Sequence, residues 1–247
     1  TVDDFGHGTH VAGLLGAGLN NGSGIASLGG AIVQVEPLKV LNSQGSGDIY
    51  KVSAAIKYAT QCLNVNIINM SLEVSASKVD GTKLNNTFHE AVQFAHQHNV
   101  LQIAAAGNYA AIDTKSPYPA AYIEVMGVAA LTYTNERASY STPGDAVDLA
   151  APGGVASSDP ASQIYSTWSR QAKSKCNSFY LEINGGAYCY DAGTSMATPL
   201  VASVAALVWS ASPGLTNDEV MNVLKNTALP LAPPPREVGS GLVDAAA

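Results

Sequence analysis

Apolar runs along this chain alternate with stretches of helical periodicity, and that alternation predicts a parallel α/β sheet. Residues 31–41 read as a strand. In residues 48–63, Ile49, Val52, Ile56 and Ala59 fall on one helical face. Residues 65–72 form a short continuous apolar run, which suits a strand buried on both sides. Residues 86–99 are helical again, with Phe88, Val92 and Ala95 aligned. Residues 100–106 read as a second buried strand, and residues 122–131 and 147–151 as further strands. Residues 194–210 are apolar all round, the pattern of a buried helix. Residues 215–228 are amphipathic and open on a capping box, Thr216 with Glu219; Pro230 and Pro233 to Pro235 end the helix. Residues 169–190, with much of the local charge, two cysteines and two adjacent glycines, read as a surface loop.

Composition narrows this picture. A chain of 247 residues that is 47% hydrophobic suits one large domain over residues 1–247, able to bury a core without disulfides or metals. The net charge of −7 argues against nucleic acid or an anionic membrane as partner. The most apolar stretch, residues 196–211, is broken by Thr198, Pro199 and Ser203 and reads as too short to span a membrane. Three cysteines are too few for a disulfide scaffold. Cys176 and Cys189 could pair across a short loop, and Cys62 reads as a buried thiol. The abrupt start at Thr1 and the close on Gly241-Leu-Val-Asp-Ala-Ala-Ala lead us to expect a chain incomplete at both ends.

Three motifs carry chemistry. Gly6-His7-Gly8-Thr9-His10-Val11-Ala12-Gly13 sets His7 between glycines, with its imidazole open to a ligand. His10, one turn on, is expected to point inward and be structural. We set aside a metal pair, because the zinc protease pattern needs wider spacing and an intervening glutamate. Gly193-Thr194-Ser195-Met196-Ala197-Thr198-Pro199 puts a serine at a helix start, where its own N–H is an unpaired donor able to stabilise a negative oxygen. Ala105-Ala106-Gly107-Asn108 follows a buried strand, and the Asn108 amide can donate to an oxyanion. Taken singly, the three residues also fit a loop histidine, an N-cap serine and a turn asparagine.

Together, and in this order, the motifs resemble the subtilisin family of serine proteases over essentially the whole chain. Leu38-Lys39-Val40-Leu41 and Ile68-Asn69-Met70-Ser71-Leu72 resemble its strands leading to two substrate edges. The resemblance implies an α/β fold of three layers, a mostly parallel central sheet with helices on both faces, with N-terminal strand(s) missing here. It implies a serine endopeptidase. His7 would be the general base, Ser195 the nucleophile, and Asn108 with the Ser195 amide the oxyanion hole. The substrate would lie as a strand between Gly45, Ser46, Gly47 and Ser71, Leu72, Glu73. Ala105, Ala106 and Gly107 would line the first pocket.

The family's aspartate is expected upstream of Thr1. Asp3 and Asp4 lie too close to His7 to replace it, and solvation is the role expected of them. The chain alone is therefore expected to be inactive or poorly soluble, with apolar surface exposed where a strand is missing. Leu200 and Ser203 stand where the family has histidine and glycine, which affects packing. Glu73 stands for a glycine and would favour a basic residue in a neighbouring subsite. Residues 19–25 resemble a calcium loop of some relatives, but a solvent-exposed turn is preferred. No cofactor is expected for catalysis and no metal is assigned. Expected partners are polypeptide substrates and a propeptide in the precursor, with no nucleic acid and no membrane; we expect a monomer, and secretion follows from the resemblance. The alternatives are an inactive protease-like binding domain, for which the missing aspartate leaves room, and an esterase, against which the two peptide edges argue.

Overall fold

Short apolar strands with no polar face need cover on both sides, and two helical layers supply it. The structure is a computed structural model that describes residues 2–75, 84–110, 117–176 and 178–246. The central sheet holds β1 (Ile67–Met70), β3 (Leu101–Ala105), β5 (Val125–Leu131) and β6 (Leu149–Pro152), in the order β1-β3-β5-β6. All three pairings are parallel. Every residue of β3 and β5 is buried, as their continuous apolar runs require.

Alternation along β3 assigns the layers. Leu101 and Ile103 face a cluster with Met126, Val128 and Leu149, closed by Ala197, Val201, Ala202 and Ala205 of α4 (Thr194–Ala211) and by Val220 and Leu224 of α5 (Asn217–Thr227). Ala104 faces the other way, onto Val52 and Ile56 of α2 (Ile49–Tyr58) and Ala91, Val92 and Ala95 of α3 (Glu90–Gln97). Between them, fully buried Gln102 donates to the Val92 carbonyl at 2.9 Å. These are the three layers the sequence predicts. The capping box is present: Thr216 accepts from the Glu219 amide, and the Glu219 carboxylate accepts from Thr216.

By length and composition α4 could cross a membrane, contrary to the reading of its apolar stretch as too short; here it is the core helix, with most of that stretch buried. Its alanines bring the backbone close to the sheet, so the length that would span a bilayer instead crosses a domain.

Four expectations need correction. Residues 31–41 form no strand; only Leu41 makes a bridge, to Gly47. A groove of about 1050 Å³ separates residues 33–40 from β1, so the segment has no strand to pair with. For the same reason β1 is an edge strand: Ile67, Ile68 and Asn69 are half-buried rather than covered on both sides. Cys62 is exposed, because the buried stripe of its helix runs through Val52, Ile56, Ala59 and Thr60 and leaves Cys62 off that face.

Residues 169–190 are not simply a surface loop. β7 (Ile164–Thr167), β8 (Tyr180–Ile183) and β9 (Gly186–Asp191) form an antiparallel sheet in the order β7-β9-β8, and Cys176 is bonded to Cys189. The missed signal is Asn184-Gly185, both at positive φ, a pair that turns a tight hairpin between alternating Tyr180, Leu181, Ala187 and Tyr188. A small ribbon, β2 (Val74–Ser75) with β4 (Pro117–Tyr118), completes the strands described.

Ile103 is fully buried between α4 and the sheet. Ile103→Ala is expected to lower unfolding stability by about 3–4 kcal/mol. Urea titration would check this, with a fall in midpoint at an unchanged slope.

Candidate active site

Helix α1 (His7–Gly16) begins where a carboxylate gathers the amides of its first turn. Asp3 Oδ1 accepts from the amides of Phe5 (3.1 Å) and Gly6 (2.8 Å), and its Oδ2 from the Thr9 amide (2.8 Å) and hydroxyl (2.6 Å). Burial raises the carboxyl, but the Thr9 hydroxyl and the Gly6, Thr9 and Phe5 amides outweigh it, so Asp3 titrates below its ordinary value. The expectation that Asp3 is a solvated turn residue is thus corrected: it caps the helix that carries His7. Asp4 pairs with Lys39 at 2.5 Å. Gly6 stands at φ +97°, and a Cβ there would lie 2.2 Å from the Trp168 ring, so only glycine lets the chain turn into His7.

The two histidines of the first motif part company. His10 is fully buried, with Nε2 3.2 Å from the Ile164 and Cys189 carbonyls. Burial is the main cause that brings it down to about 4, and it stays neutral. It is the structural residue expected, anchoring α1 to β7 and β9, with Ser166 and Thr167 donating to the carbonyls of His10 and Thr9. His7 lines the groove and makes no hydrogen bond among the described residues. Burial pushes its imidazole down, against the pull of Asp191 and then of Asp3. Asp191, at the end of β9, is pushed up by burial, against the Ala192 amide and then His7. No sequence signal points to Asp191; only the β7–β9 register brings it to α1.

The second and third motifs meet directly. Thr194 donates from its amide and its hydroxyl to Asn108 Oδ1, both at 3.0 Å. Those bonds need an oxygen acceptor, so the Asn108 Nδ2 donors are turned away from Thr194. A point one bond out from the Gly193 Cα lies 3.6 Å from Asn108 Nδ2 and 3.6 Å from the Ser195 amide. Asn108 Oδ1 lies 3.8 Å from the same point, so the Asn108 carboxamide and the Ser195 amide both border the bare face of Gly193.

Pro199 shapes the same corner. It has no N–H, so the Ser195 carbonyl one turn earlier has no helical partner. The Ser71 hydroxyl donates to that carbonyl at 2.8 Å, and Asn69 donates to the Ser71 hydroxyl at 3.0 Å. The Ser195 hydroxyl donates to the Ser71 carbonyl at 3.3 Å, and no hydrogen bond joins it to His7.

The expected substrate edges flank this corner. Residues 41–47 form a tight hairpin held by Asn42, whose amide donates to Ser46 O (2.8 Å) and whose Oδ1 accepts from Gln44 (2.9 Å) and Ser46 (3.2 Å). Ser46 is thereby used up internally. Gly47 and the Gly45 carbonyl bond to nothing else among the described residues. Phe5 packs against Gly45. Across the cleft, Ser71 is tied to Ser195, and Leu72 and Glu73 follow β1 outward. Ala105 and Ala106 are buried, and Gly107 stands at φ +98° beside Glu73. A separate cavity of about 450 Å³, bounded by Asp145, Asp148, Lys225 and Arg236, reaches neither His7 nor Ser195.

Residues 19–25 are largely exposed, with an Asn21 side chain accepting from the Ser23 amide. Among the described residues no group of three histidine, cysteine or acidic side chains could hold a metal.

The model of the Subtilase family matches residues 1–241. A thermostable alkaline protease of Halalkalibacterium halodurans is 37% identical over 243 residues, which are 98% of this chain and 57% of that protein. Subtilisin Savinase of Lederbergia lenta is 35% identical over 247 residues, all of this chain and 78% of the relative. A solved protease structure from Pseudoalteromonas arctica superposes with a TM-score of 0.83 at 32% identity, over 97% of this chain and 69% of that one. Against several curated relatives the chain spans little more than half their length.

Asp3→Asn is expected to cost about 1–2 kcal/mol of stability at pH 7, since it removes the acceptor of the Thr9 pair. The folded pKa of Asp3 lies below the unfolded value, so its contribution is present above about pH 4 and is lost as pH falls through the folded value. Urea titrations of both proteins at pH 7 and pH 3 should show the gap narrowing at the lower pH.

Proposed function

This chain belongs to the subtilase family, and from that premise we propose that it hydrolyses peptide bonds as a serine endopeptidase through an acyl-enzyme on Ser195. The observation that carries the reading is the pair of donors beside Gly193: Asn108 Nδ2 and the Ser195 amide flank one space at the start of a buried helix. A carbonyl oxygen held there would gain negative charge in front of two fixed dipoles and the positive end of α4.

In this mechanism the Ser195 hydroxyl leaves the Ser71 carbonyl and donates to His7, which takes its proton as Oγ attacks the carbonyl carbon. His7 then returns the proton to the leaving amine, and water repeats the sequence on the ester. The present bond from Ser195 to Ser71 is taken as the resting arrangement, and the mechanism requires substrate binding to bring the hydroxyl within hydrogen-bond reach of His7. We propose, in keeping with the family, that a carboxylate outside the given residues orients His7. Asp191 and Asp3 supply only weaker attraction to the imidazole.

The substrate runs as a strand across the cleft, pairing with Gly45 and Gly47 on one side and with Leu72 and Glu73 on the other. We further propose polypeptide substrates, synthesis with a propeptide, a monomeric state and secretion, in keeping with the family. A serine-directed phosphonate should label Ser195 in the parent protein and leave Ser195→Ala untouched. Absence of labelling would favour a protease-like binding domain.

Two measurements extend the test. Asn108→Ala is expected to lower kcat by about 10²–10³-fold with little change in KM, a magnitude known from another member of this family. Hydrolysis requires neutral His7, and burial holds its imidazole below the ordinary value. In the 247-residue chain the His7 ring should therefore titrate below about pH 6.5 when followed by NMR, and a midpoint above that value would contradict its burial; an orienting carboxylate in the parent protein would raise it.

A further inference from the structure

We propose that Glu73 makes the first side-chain pocket of the cleft acidic, so that the chain selects polypeptides with arginine or lysine immediately before the scissile bond. This rests on the peptidase reading above and adds the substrate class to it.

The placement follows from strand register. β1 and β3 run in parallel with Met70 opposite Ala104. Carried three residues beyond that pair, the register sets Glu73 beside Gly107, the residue before Asn108. The contact bears this out: a Cβ built on Gly107 would lie 2.7 Å from Glu73 Oε2, 3.0 Å from Thr142 Oγ1 and 3.4 Å from Pro117 Cβ. A carboxylate, a hydroxyl and a proline ring thus fill the space beside Gly107, so a side chain entering there has to swing the Glu73 carboxylate aside to pair with it. The β2–β4 ribbon, pairing Val74 with Tyr118 and Ser75 with Pro117, holds Glu73 against that face.

Glu73 Oε2 is withdrawn from solvent and has no hydrogen-bond partner. Among the described residues no lysine, arginine or histidine stands within ion-pair distance of it. The Thr142 hydroxyl accepts from the Tyr109 amide at 2.9 Å, which leaves its own proton free, yet no bond joins it to Glu73 Oε2. A carboxylate oxygen taken from water without a donor is unfavourable and is normally matched by one. A guanidinium or ammonium entering along Gly107 would supply a charge-assisted bond, the guanidinium with the better fork. Because the Glu73 backbone also lies on the edge proposed to pair with substrate, one residue would fix both the strand and the side chain that it presents.

Binding separates this proposal from the hydrolytic reading. The full chain carrying Ser195→Ala is titrated calorimetrically at pH 7 with two acetylated peptide amides, Ala-Ala-Pro-Arg and its neutral isostere Ala-Ala-Pro-citrulline. Arginine should bind about 10–100-fold more tightly, and Glu73→Gln should bring the ratio of the two affinities close to one. The comparison of the two peptides needs no change at Glu73, and thermal melts check that the Gln variant folds. Equal affinities in the Ser195→Ala chain, binding of neither peptide, or an unchanged ratio in a folded Gln variant would each overturn the proposal. Arginine preference in the Ser195→Ala chain with no cleavage by the unaltered parent protein would keep the acidic pocket and lose the peptidase. Cleavage with no preference for arginine would do the reverse.

Discussion

Two hydrogen bonds from Thr194 to one oxygen of Asn108 join segments 86 residues apart, and the arrangement of the site follows from that junction. One end is the loop leaving β3, a strand buried on both faces; the other is the first turn of α4, a helix buried along most of its length. Neither can move without disturbing the core. The oxygen of the amide is consumed by Thr194, so its nitrogen is left free beside Gly193, near the Ser195 N–H. The direction of two donors is thus set by packing rather than by any ligand, which is what preorganised charge stabilisation requires.

A missing donor organises the other side of the corner. Pro199 lies within α4 and frees the Ser195 carbonyl, and the Ser71 hydroxyl takes its place. A helix interior usually excludes proline, at a cost of about 3 kcal/mol. Near the first turn the loss is smaller, and here it opens a link between α4 and the edge strand β1. Ser71 is held in turn by Asn69, so the proposed substrate edge is coupled to Ser195 through two side chains.

Charge in the cleft is distributed by burial. His10 and His7 stand on one helix turn, yet His10 is locked neutral between carbonyls while His7 faces the groove near two carboxylates. Asp3 spends its charge on helix amides, and Asp191 is raised by burial. Glu73 stands apart from these, with no partner on its buried oxygen.

Much of this was legible in the sequence. Periodicity located α2, α3, α4, α5, β3, β5 and β6, because a helix or a doubly buried strand writes its burial into neighbouring residues, and the capping box of α5 is equally local. The motifs around His7, Asn108 and Ser195 identified the family, since each needs particular small residues at fixed short spacing. Pairing between distant segments left no such trace. Residues 31–41 are as apolar as a strand but lack a neighbour, and β1 has a free edge for the same reason. The ribbon β7–β9 was hidden by its charges, although Asn184-Gly185 marked its turn. Only tertiary structure could bring Asp191 to His7, turn Asp3 into a helix cap and set Glu73 against Gly107. Those contacts depend on strand register and chain closure over many residues, and no local pattern of side chains encodes such distances.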